Sequence, residues 1–523
     1  MERVNIIGAG LAGLSAAITL AQRGIACNLI SKLPSERAQS VLAEGGINAS
    51  LNTMGQNDTT ELHYHDTMKG GGYLSDPEAV ATLTQRAPEI LLWLETIGVP
   101  FNVKDGQPVL RPFGGQSKKR TAYAKSSTGK MILNALIDEA RKYENQGWIH
   151  RWMHHEFVCI HRKGDACIGV RILDTYTQKM WDFYGPVILA YGGLNGFFPL
   201  QTTGTTSNDG NAAATLFMQG VQFGNLEMIQ YHPTTIGICG KRCLVSEAAR
   251  AEGGRLFVRK GQEPWYFMEE KYPEFGNLMP RDVVSREMEL VVKDPGCANQ
   301  VYLNMTGLSD EIWEKRLPDL REEILYYLQI DPKSEPVPVE PGIHYFMGGI
   351  DTDNHHETNL RHLYACGECT CRYHGANRLG GNSMLGAILG GRIAAENIDS
   401  KAMSDKKEEE VAGQLPSYSM SLALQLGTIL RSGLGILRND ADMQKSLYQI
   451  ERLEQKALTP TDKARCLFAK AMVNSALSRK ESRGAHYRTD YPQPDDTMQK
   501  MIVVNYDGTI HMTWRPLRQR RNA

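Results

Sequence analysis

Short apolar runs separated by glycines open the chain. Val4 to Ile7 form a continuous apolar run, and Leu14 to Gln22 repeat apolar positions with helical spacing. Gly24 stands where a helix commonly ends, and Cys27 to Ile30 form a second apolar run. Continuous apolar runs of this length are typical of buried strands, whereas the helical spacing is typical of a helix packed on a core. The pattern therefore predicts a strand, a helix and a second strand, which is a βαβ unit.

Apolar runs recur further along the chain and predict more strands. Phe157 to Ile160 and Val187 to Ala190 are two such runs, and the second leads directly into Tyr191-Gly192-Gly193. Leu363 to Glu368 are also predicted as a strand that ends in a turn. We expect the chain to return at that point to the domain that its first residues form.

The segments between and after these strands differ in composition. Residues 230–344 are richer in charged and turn residues, which predicts an inserted α+β domain. Ser404 to Glu410 (SDKKEEE) are charged throughout most of their length, which is typical of a solvated domain boundary. Leucine-spaced helical runs then extend to about Ser478, and a loop-rich tail with Pro492 and Pro494 is predicted after them.

Length and composition narrow the class of protein. A chain of 523 residues exceeds one ordinary hydrophobic core, so two or three domains are expected. The 58 Lys and Arg nearly balance the 59 Asp and Glu, which gives no electrostatic reason to expect a nucleic-acid partner. Ten scattered cysteines indicate a reduced, cytosolic protein. We see no secretory signal and no apolar run near the roughly 18–20 residues of a membrane helix, so any membrane attachment is expected through another subunit.

A glycine-rich turn connects the first predicted strand and helix. The sequence Gly8-Ala9-Gly10-Leu11-Ala12-Gly13 matches the G-x-G-x-x-G pattern, whose glycines allow a tight turn and close approach of a pyrophosphate to the helix N-terminus. A purely structural glycine turn is the alternative. A nicotinamide dinucleotide would require an acidic residue at the end of the second strand, but Ser31-Lys32 stand there. The NAD fingerprint is therefore incomplete.

Several motifs in order resemble the flavoprotein subunits of succinate dehydrogenase and fumarate reductase. The segment from Gln39 to Gly46 (QSVLAEGG) is similar to the flavin-attachment region of that family. The other matching motifs are EMIQYHPT, SEAARAEGG, MPRDVVSR, HYFMGGI, YACGECT, HGANRLGGNSML and SRGAHYRTDYP. The resemblance covers the chain to about Asp496. This many motifs in the same order indicate the family far more specifically than the glycine turn alone.

The resemblance implies an α/β fold in which a Rossmann-like FAD-binding domain is split by an inserted α+β capping domain and followed by a C-terminal helical domain. The expected active site lies between the first two domains. The predicted boundaries are residues 1–229 and 345–403 for the FAD-binding domain, 230–344 for the cap, 411–490 for the helical domain and 491–523 for the tail.

Gln39 departs from the family pattern. The resembling proteins usually carry a histidine there that is covalently bonded to the flavin, and a glutamine side chain cannot form that bond. The resemblance therefore implies non-covalent FAD. Because the covalent bond generally raises the flavin potential in this family, its absence favours reduction of an alkene over oxidation of succinate.

The resemblance also implies roles for polar residues that a four-carbon dicarboxylate needs. One carboxylate is expected to bind His232 and Ser246, and the other His344 and Arg378. Arg281 is expected to protonate the alkene carbon next to the one that receives the hydride. An arginine holds its proton to very high pH, so a role as a carboxylate clamp only is the alternative. Glu247 and Arg250 are expected to relay protons to Arg281.

The resemblance also implies which residues contact the FAD, and most of them follow the ends of predicted strands. They are Gly8, Gly10, Gly13, Ser31, Lys32, Gly45, Gly46, Asp209, Glu368, Ser383 and Leu385. Asp209 and Glu368 as ordinary turn residues are the alternative. No metal site is predicted: Cys366, Cys369 and Cys371 lack an evident fourth ligand and are expected to pack near the cofactor. The histidines within Thr60 to Thr67 and at His355-His356 are expected in turns or on exposed helix faces.

The residue at position 113 helps to decide whether L-aspartate or a dicarboxylate without an ammonium group, such as fumarate, is the substrate. L-aspartate oxidases resemble E-G-G-H-S-H-R-R where this chain has FGGQSKKR, and they use the glutamate to meet the substrate ammonium. An apolar Phe113 cannot pair with an ammonium, which favours fumarate or succinate. Arg378 is intact, which favours a dicarboxylate over another unsaturated acid. A non-enzymatic or tRNA-modifying FAD-binding protein is a further alternative.

The resemblance implies partners as well. We find no haem attachment motif, so electrons are expected to pass through an iron–sulfur subunit, a diffusible donor or oxygen. The predicted location is cytoplasmic, or peripheral on the inner face of the membrane through anchor subunits, with a role in electron transport and anaerobic respiration.

Overall fold

The computed structural model describes residues 3–125, 127–238, 240–399, 409–412 and 418–520. Its first elements are the strand Val4–Ile7, the helix Leu11–Gln22 and the strand Cys27–Ser31. The two strands pair in parallel, and Val4 lies beside Cys27. The predicted βαβ unit is confirmed.

A parallel five-stranded sheet forms the centre of the molecule. Its order is Leu363–Ala365, Val187–Leu189, Val4–Ile7, Cys27–Ser31 and Ile149–Met153. The strand Leu363–Ala365 pairs with Val187–Leu189, so the chain returns to its first domain as predicted. All these strands are almost wholly buried except the last, which is an edge. The carboxyl ends of the parallel strands therefore meet along one edge of the sheet, where ligands bind in folds of this class.

Three other sheets are antiparallel. The first, a four-stranded sheet beside the parallel sheet, has the order Glu409–Ala412, Lys179–Tyr184, Ala166–Asp174, His155–Lys163. A six-stranded sheet has the order Lys241–Leu244, Ile229–Ile238, Val337–Phe346, Val301–Asn304, Arg255–Lys260, Glu263–Trp265. A second four-stranded sheet has the order Gly349–Ile350, Phe223–Gly224, Met501–Tyr506, Ile510–Arg515. The remaining strands are short. Three of them form one small sheet, with the order Ile47–Asn48, Thr121–Ala122, Leu110–Arg111, and four form two pairs, Val103–Lys104 with Gln107–Pro108 and Leu437–Arg438 with Tyr487–Arg488.

The helices form three groups. The first belongs to the domain of the parallel sheet, the second packs with the six-stranded sheet, and the third is a bundle near the C-terminus. Those of the first group are Leu11–Gln22, Thr60–Gly70, Pro77–Thr96, Thr128–Asn145, Asn211–Met218 and Asn382–Asn397. Those of the second are Glu247–Ala251, Phe267–Lys271, Arg281–Val292, Asp310–Lys315 and Pro318–Leu328. Those of the bundle are Met420–Gly433, Asp440–Glu454 and Pro460–Ser478.

The buried apolar side chains fall into three large cores. One lies between the parallel sheet and its helices, and a second joins the opposite face of that sheet to the C-terminal bundle. The third is built entirely from residues between Ile236 and Val339, among them Leu256, Met288 and Trp313. The mixed α/β architecture confirms the predicted fold class, whereas the domain boundaries given above stay predictions.

The tail differs from its prediction. Met501–Tyr506 and Ile510–Arg515 form a β-hairpin where the sequence predicted loops. Pro492 and Pro494 lie before the hairpin, so they do not interrupt it. The charged segment from Ser404 to Glu410 falls mostly outside the described residues, and its end belongs to the strand Glu409–Ala412. Among the described residues, no helix is long and apolar enough to cross a membrane.

Candidate active site

A large cavity lies at the carboxyl ends of the parallel strands. Its wall includes these residues predicted to contact the cofactor: Gly8, Gly10, Ser31, Lys32, Gly45, Gly46, Asp209, Glu368 and Ser383. It also includes these residues predicted to contact or react with the substrate: Phe113, His232, Ser246, Glu247, Arg281, His344 and Arg378. Three predicted residues are absent from the wall: Gly13, Arg250 and Leu385. Residues far apart in sequence are thus brought together in one place.

The first helix starts at one end of this cavity. Gly8 has φ +114°, and a side chain there would collide with the carbonyl oxygen of Ala190. A Cβ on Gly13 would lie 1.8 Å from the carbonyl oxygen of Gly8, so Gly13 allows the helix to pack on the turn and does not line the cavity. Gly10 caps the helix without a side-chain bond, and its first turn has no acidic residue. The Leu11 N–H donates to Ser40 Oγ at 3.4 Å, and the other N–H groups of this turn suit a pyrophosphate.

A second helix, Asn382–Asn397, starts at the same cavity. Gly381 caps it with φ +82° and without a side-chain bond, and its first turn also has no acidic residue. Ser383 lies on the cavity wall in that first turn. Leu385 instead packs in the core behind the wall. Two helix N-termini facing one cavity fit a ligand with negative charge at more than one point, as FAD has.

Glu247 lies between two buried arginines near the other end of the cavity. Its Oε2 accepts a hydrogen bond from Arg281 Nε at 2.8 Å and lies 2.7 Å from a second guanidinium nitrogen of Arg281. Its Oε1 accepts a bond from the Gly114 N–H at 3.0 Å and lies 4.0 Å from Arg250 Nη2. Burial would raise the pKa of Glu247, but Arg281 and Arg250 lower it to about 2. Glu247 is therefore ionised at neutral pH.

Gln230 connects Arg281 to the loop that carries Arg378. Its Oε1 accepts a bond from Arg281 Nη1 at 3.3 Å, and its Nε2 donates to the Arg378 carbonyl at 2.8 Å. The Arg378 guanidinium lies over the Tyr345 ring at 4.6 Å, and its Nε has no hydrogen-bond partner among the described residues. Burial, together with the charge of Arg281, lowers the pKa of Arg378 to about 9. An unpaired, buried guanidinium of this kind favours an anionic ligand.

The two predicted substrate histidines are neighbours. The rings of His232 and His344 have centroids 5.2 Å apart. His232 contacts Thr234 through Nδ1, and its Nε2 is buried without a described partner. His344 Nδ1 lies 2.9 Å from Thr203 Oγ1. Burial, with the nearby Arg281, lowers the pKa of both histidines well below the usual value, so each is a neutral hydrogen-bonding group at pH 7.

Positive charge exceeds negative charge in this part of the cavity. Glu44 and Glu368 line the wall as well, but burial raises their pKa to about 8 and about 7. Neither carries a full negative charge at pH 7. Glu247 is already paired with Arg281. The excess of cationic groups is suited to a ligand with two negative charges.

Phe113 covers the glycines of the two flavin motifs. It is 2% exposed, and a Cβ on either Gly45 or Gly380 would lie 3.0 Å from its ring. Ser246 caps the helix Glu247–Ala251 and accepts a bond from the Ala248 N–H at 3.4 Å. The apolar ring therefore lies on the same wall as the polar residues that would hold the ends of a small acid.

Comparisons with known proteins agree with this geometry. A family model described as FAD binding domain matches residues 3–384, and one described as fumarate reductase flavoprotein C-term matches residues 462–522. The succinate dehydrogenase flavoprotein subunit of Bacillus subtilis is 34% identical over 94% of this chain and 92% of its own length. The chain belongs to the succinate dehydrogenase and fumarate reductase flavoprotein family.

A further relative and a solved structure are also similar to this chain over nearly its whole length. The 8-methylmenaquinol:fumarate reductase flavoprotein subunit of Wolinella succinogenes is 31% identical over 98% of this chain and 90% of its own. The E. coli quinol fumarate reductase structure superposes with a TM-score of 0.87 at 27% identity, covering 100% of this chain and 97% of that one. The predicted family and type of enzyme, a FAD-dependent oxidoreductase acting on a CH–CH group, are confirmed.

Gln39, the residue predicted to replace the attachment histidine, lies on the cavity wall. Its Oε1 accepts a hydrogen bond from the Thr205 N–H at 2.5 Å. The side chain is thus held by the protein backbone. An amide has no nucleophilic nitrogen comparable to that of an imidazole.

Two polar groups of the site were missed from the sequence. Gln230 precedes His232 by two residues on one strand, the spacing at which side chains share a face, and this signal would have found it. Thr203, the partner of His344, lies in a loop and has no such signal. The SRGAHYRTDYP motif has no residue on the cavity wall, and its buried arginines form ion pairs: Arg483 lies 2.9 Å from Glu481, and Arg488 lies 2.6 Å from Asp490.

The cysteines and histidines that are possible metal ligands by residue type differ in their burial and contacts. Cys366, Cys369 and Cys371 are buried, and no group of three or more His, Cys, Asp or Glu in the described part of the chain is placed to hold a metal. The prediction of turns or exposed helix faces was wrong for His63, which is buried on a helix, whereas His355 and His356 lie in a turn, in which His356 is buried. His63 is buried with Nε2 3.0 Å from Asn382 Oδ1, and His356 Nε2 lies 2.6 Å from the Tyr373 hydroxyl. Helix Thr60–Gly70 turns His63 inward, a choice of face that its weak apolar pattern did not reveal.

Replacing Glu247 is expected to destabilise the protein in a pH-dependent way. Glu247→Gln leaves two buried arginines without their carboxylate, which typically costs about 3–5 kcal/mol. Because the folded pKa of Glu247 is about 2 and the ordinary value is 4.5, its stabilisation is present above pH 4.5 and is lost as the pH falls toward 2. Thermal unfolding should show a gap between wild type and variant at pH 7 that narrows below about pH 4.5.

The matched control for this experiment is Glu89→Gln, which removes a half-exposed carboxylate paired with Arg86 and Arg392. Exposed pairs contribute about 0–1 kcal/mol, so little change is expected. A Glu247→Gln protein as stable as wild type at pH 7 would contradict the predicted role of this ion pair.

Proposed function

We propose that the chain transfers a hydride between flavin N5 and a four-carbon dicarboxylate, with fumarate reduction favoured over succinate oxidation. The observation that carries this proposal is the set of cationic and neutral donors without partners at one end of the cofactor cavity. Arg378 Nε and His232 Nε2 are both buried without a described partner. Burying such groups is costly unless a ligand satisfies them, and a dicarboxylate supplies two anionic ends.

The residues have separable roles in the proposed reaction. His344 and Arg378 bind one carboxylate, and His232 with Ser246 binds the other, so that the alkene is held between them. FAD, when bound, supplies the hydride to one alkene carbon. Arg281 donates a proton to the other carbon.

Glu247 orients Arg281 and returns its proton. Two contacts from Oε2 to Arg281 fix the guanidinium plane. When Arg281 gives up its proton, the charge that lowers the pKa of Glu247 disappears, and Glu247 then binds a proton more readily. Arg250, 4.0 Å from Glu247, is the next group in the proposed relay.

We further propose that the FAD is held without a covalent bond. Acid precipitation of the holoprotein should leave all flavin in the supernatant, where its absorbance is measured, because Gln39 offers no nucleophile. A yellow precipitate that keeps the flavin through washing and denaturing electrophoresis would contradict the proposal. The released cofactor should behave as FAD, and not FMN, in chromatography.

Partners and location are proposals of the same kind. Since the relatives named above are flavoprotein subunits, we infer an iron–sulfur subunit as the electron partner and membrane anchors beyond it. The chain would then act on the cytoplasmic side, in electron transport and anaerobic respiration.

Anaerobic reoxidation tests the reaction. Reduced, bleached holoprotein mixed with fumarate should regain its flavin absorbance and yield one succinate per flavin. Absence of reoxidation by fumarate would contradict the proposed reaction. Bleaching of the oxidised protein by L-aspartate would favour an aspartate oxidase, which Phe113 disfavours because it offers no partner for an ammonium.

A further inference from the structure

The second strand of a dinucleotide-binding fold usually ends at an acidic residue that binds the ribose of the adenosine half. Here Cys27–Ser31 is followed by Lys32, a cation. An acid is nevertheless present in space. Glu156, from the strand His155–Lys163, places Oε1 3.0 Å from Lys32 Nζ. The neighbouring sheet thus supplies the carboxylate that the second strand lacks.

Lys32, Glu156 and Asp209 form a compact group on the cavity wall, here called the lysine triad. Asp209 Oδ2 lies 2.9 Å from Lys32 Nζ, and all three residues line the cavity near the first helix. The side chains of Glu156 and Asp209 are 16% and 12% exposed, so little of each faces open space. Lys32 holds both carboxylates in fixed positions.

The hydrogen-bonding groups of the lysine triad indicate which part of FAD it contacts. Lys32 contacts Oε1 of Glu156 and Oδ2 of Asp209, so Glu156 keeps Oε2 as an acceptor that Lys32 does not occupy. Acceptors of this kind repel a pyrophosphate and suit hydroxyl donors. Glu156 also lies beside the strand end at which this fold places the ribose. The ribose diol of the adenosine half has the matching chemistry.

We propose that Glu156 accepts a hydrogen bond from a ribose hydroxyl of the adenosine half of FAD, in place of the acid missing after the second strand. Lys32 positions Glu156 for this contact. The inference concerns cofactor binding alone and does not depend on the identity of the substrate.

Binding of FAD and FMN to apoprotein tests this role, because FMN lacks the adenosine half. With flavin released by acid as proposed above, full-length apoprotein is titrated with each flavin and quenching of flavin fluorescence is followed. Glu156→Ala should raise the Kd for FAD by about 10- to 100-fold, the loss expected for one hydrogen bond to a charged group. The Kd for FMN should change less than about twofold.

The control Glu36→Ala removes the same charge from an exposed residue near this edge that is not on the cavity wall, and should leave both constants unchanged. If Glu156→Ala fails to fold, Glu156→Gln keeps the shape and loses the charge, and should raise only the Kd for FAD. An unchanged FAD constant, a tighter one, or equal losses for FAD and FMN would overturn the proposal.

Discussion

Arg281→Lys is expected to lower the rate of fumarate reduction at least about a hundredfold and to leave FAD binding unchanged. General acid catalysis contributes about 10²–10⁴-fold, and a lysine cannot keep the planar double contact with Glu247 that positions the donor. Steady-state kinetics with a reduced dye as electron donor measures the loss, and flavin fluorescence measures binding.

Arg286→Lys is the matched control, since Arg286 lies on the same helix, Arg281–Val292, and contacts the Tyr487 ring instead of the cavity. Its rate should stay within about twofold of wild type. If Arg281→Lys keeps more than a tenth of the wild-type rate, Arg281 is a carboxylate clamp and not the acid.

Arg378→Gln is expected to lower kcat/KM for fumarate by about 30- to 5000-fold. Truncating one member of a buried, hydrogen-bonded charge pair costs about 2–5 kcal/mol, and the substrate carboxylate would lose its cationic partner. Most of the effect should be in KM, because the carboxylate is bound both before and during hydride transfer.

Crotonate provides the internal control, because a methyl group replaces one carboxylate. We expect wild type to reduce crotonate slowly and Arg378→Gln to reduce it at nearly the same rate, because the remaining carboxylate should bind at His232 and Ser246. Equal losses for the two substrates would show that Arg378 acts on the fold or the flavin, and not on the second carboxylate.

The fold of the first domain was predictable because its signals are local. Glycines at Gly8 and Gly10 and the continuous apolar strands belong to elements whose geometry depends on few distant contacts. The β-hairpin Met501–Tyr506 and Ile510–Arg515 was missed, although its first strand is apolar. That strand is stabilised by pairing with Phe223–Gly224, a long-range contact that no local pattern reveals.

The sequence predicted many of the residues that form the candidate site, but it did not predict the hydrogen bonds and ion pairs that connect them. Motif resemblance suggested His232, Arg281 and Arg378, and the structure places them on one cavity wall. Their assigned roles stay predictions. The link through Gln230 and the position of Glu156 beside Lys32 depend on three-dimensional packing between separate strands. Sequence spacing can place Gln230 on the same strand face as His232, but it does not show which distant residues these side chains contact.

A crystal structure of the holoprotein with bound fumarate is the decisive measurement for the proposed arrangement of substrate and acid. We expect electron density for the diacid between Arg378 with His344 at one end and His232 with Ser246 at the other. The Arg281 guanidinium should lie within about 4 Å of an alkene carbon, on the side opposite the flavin ring. Fumarate bound elsewhere, or bound with Arg281 turned away from the alkene, would contradict it.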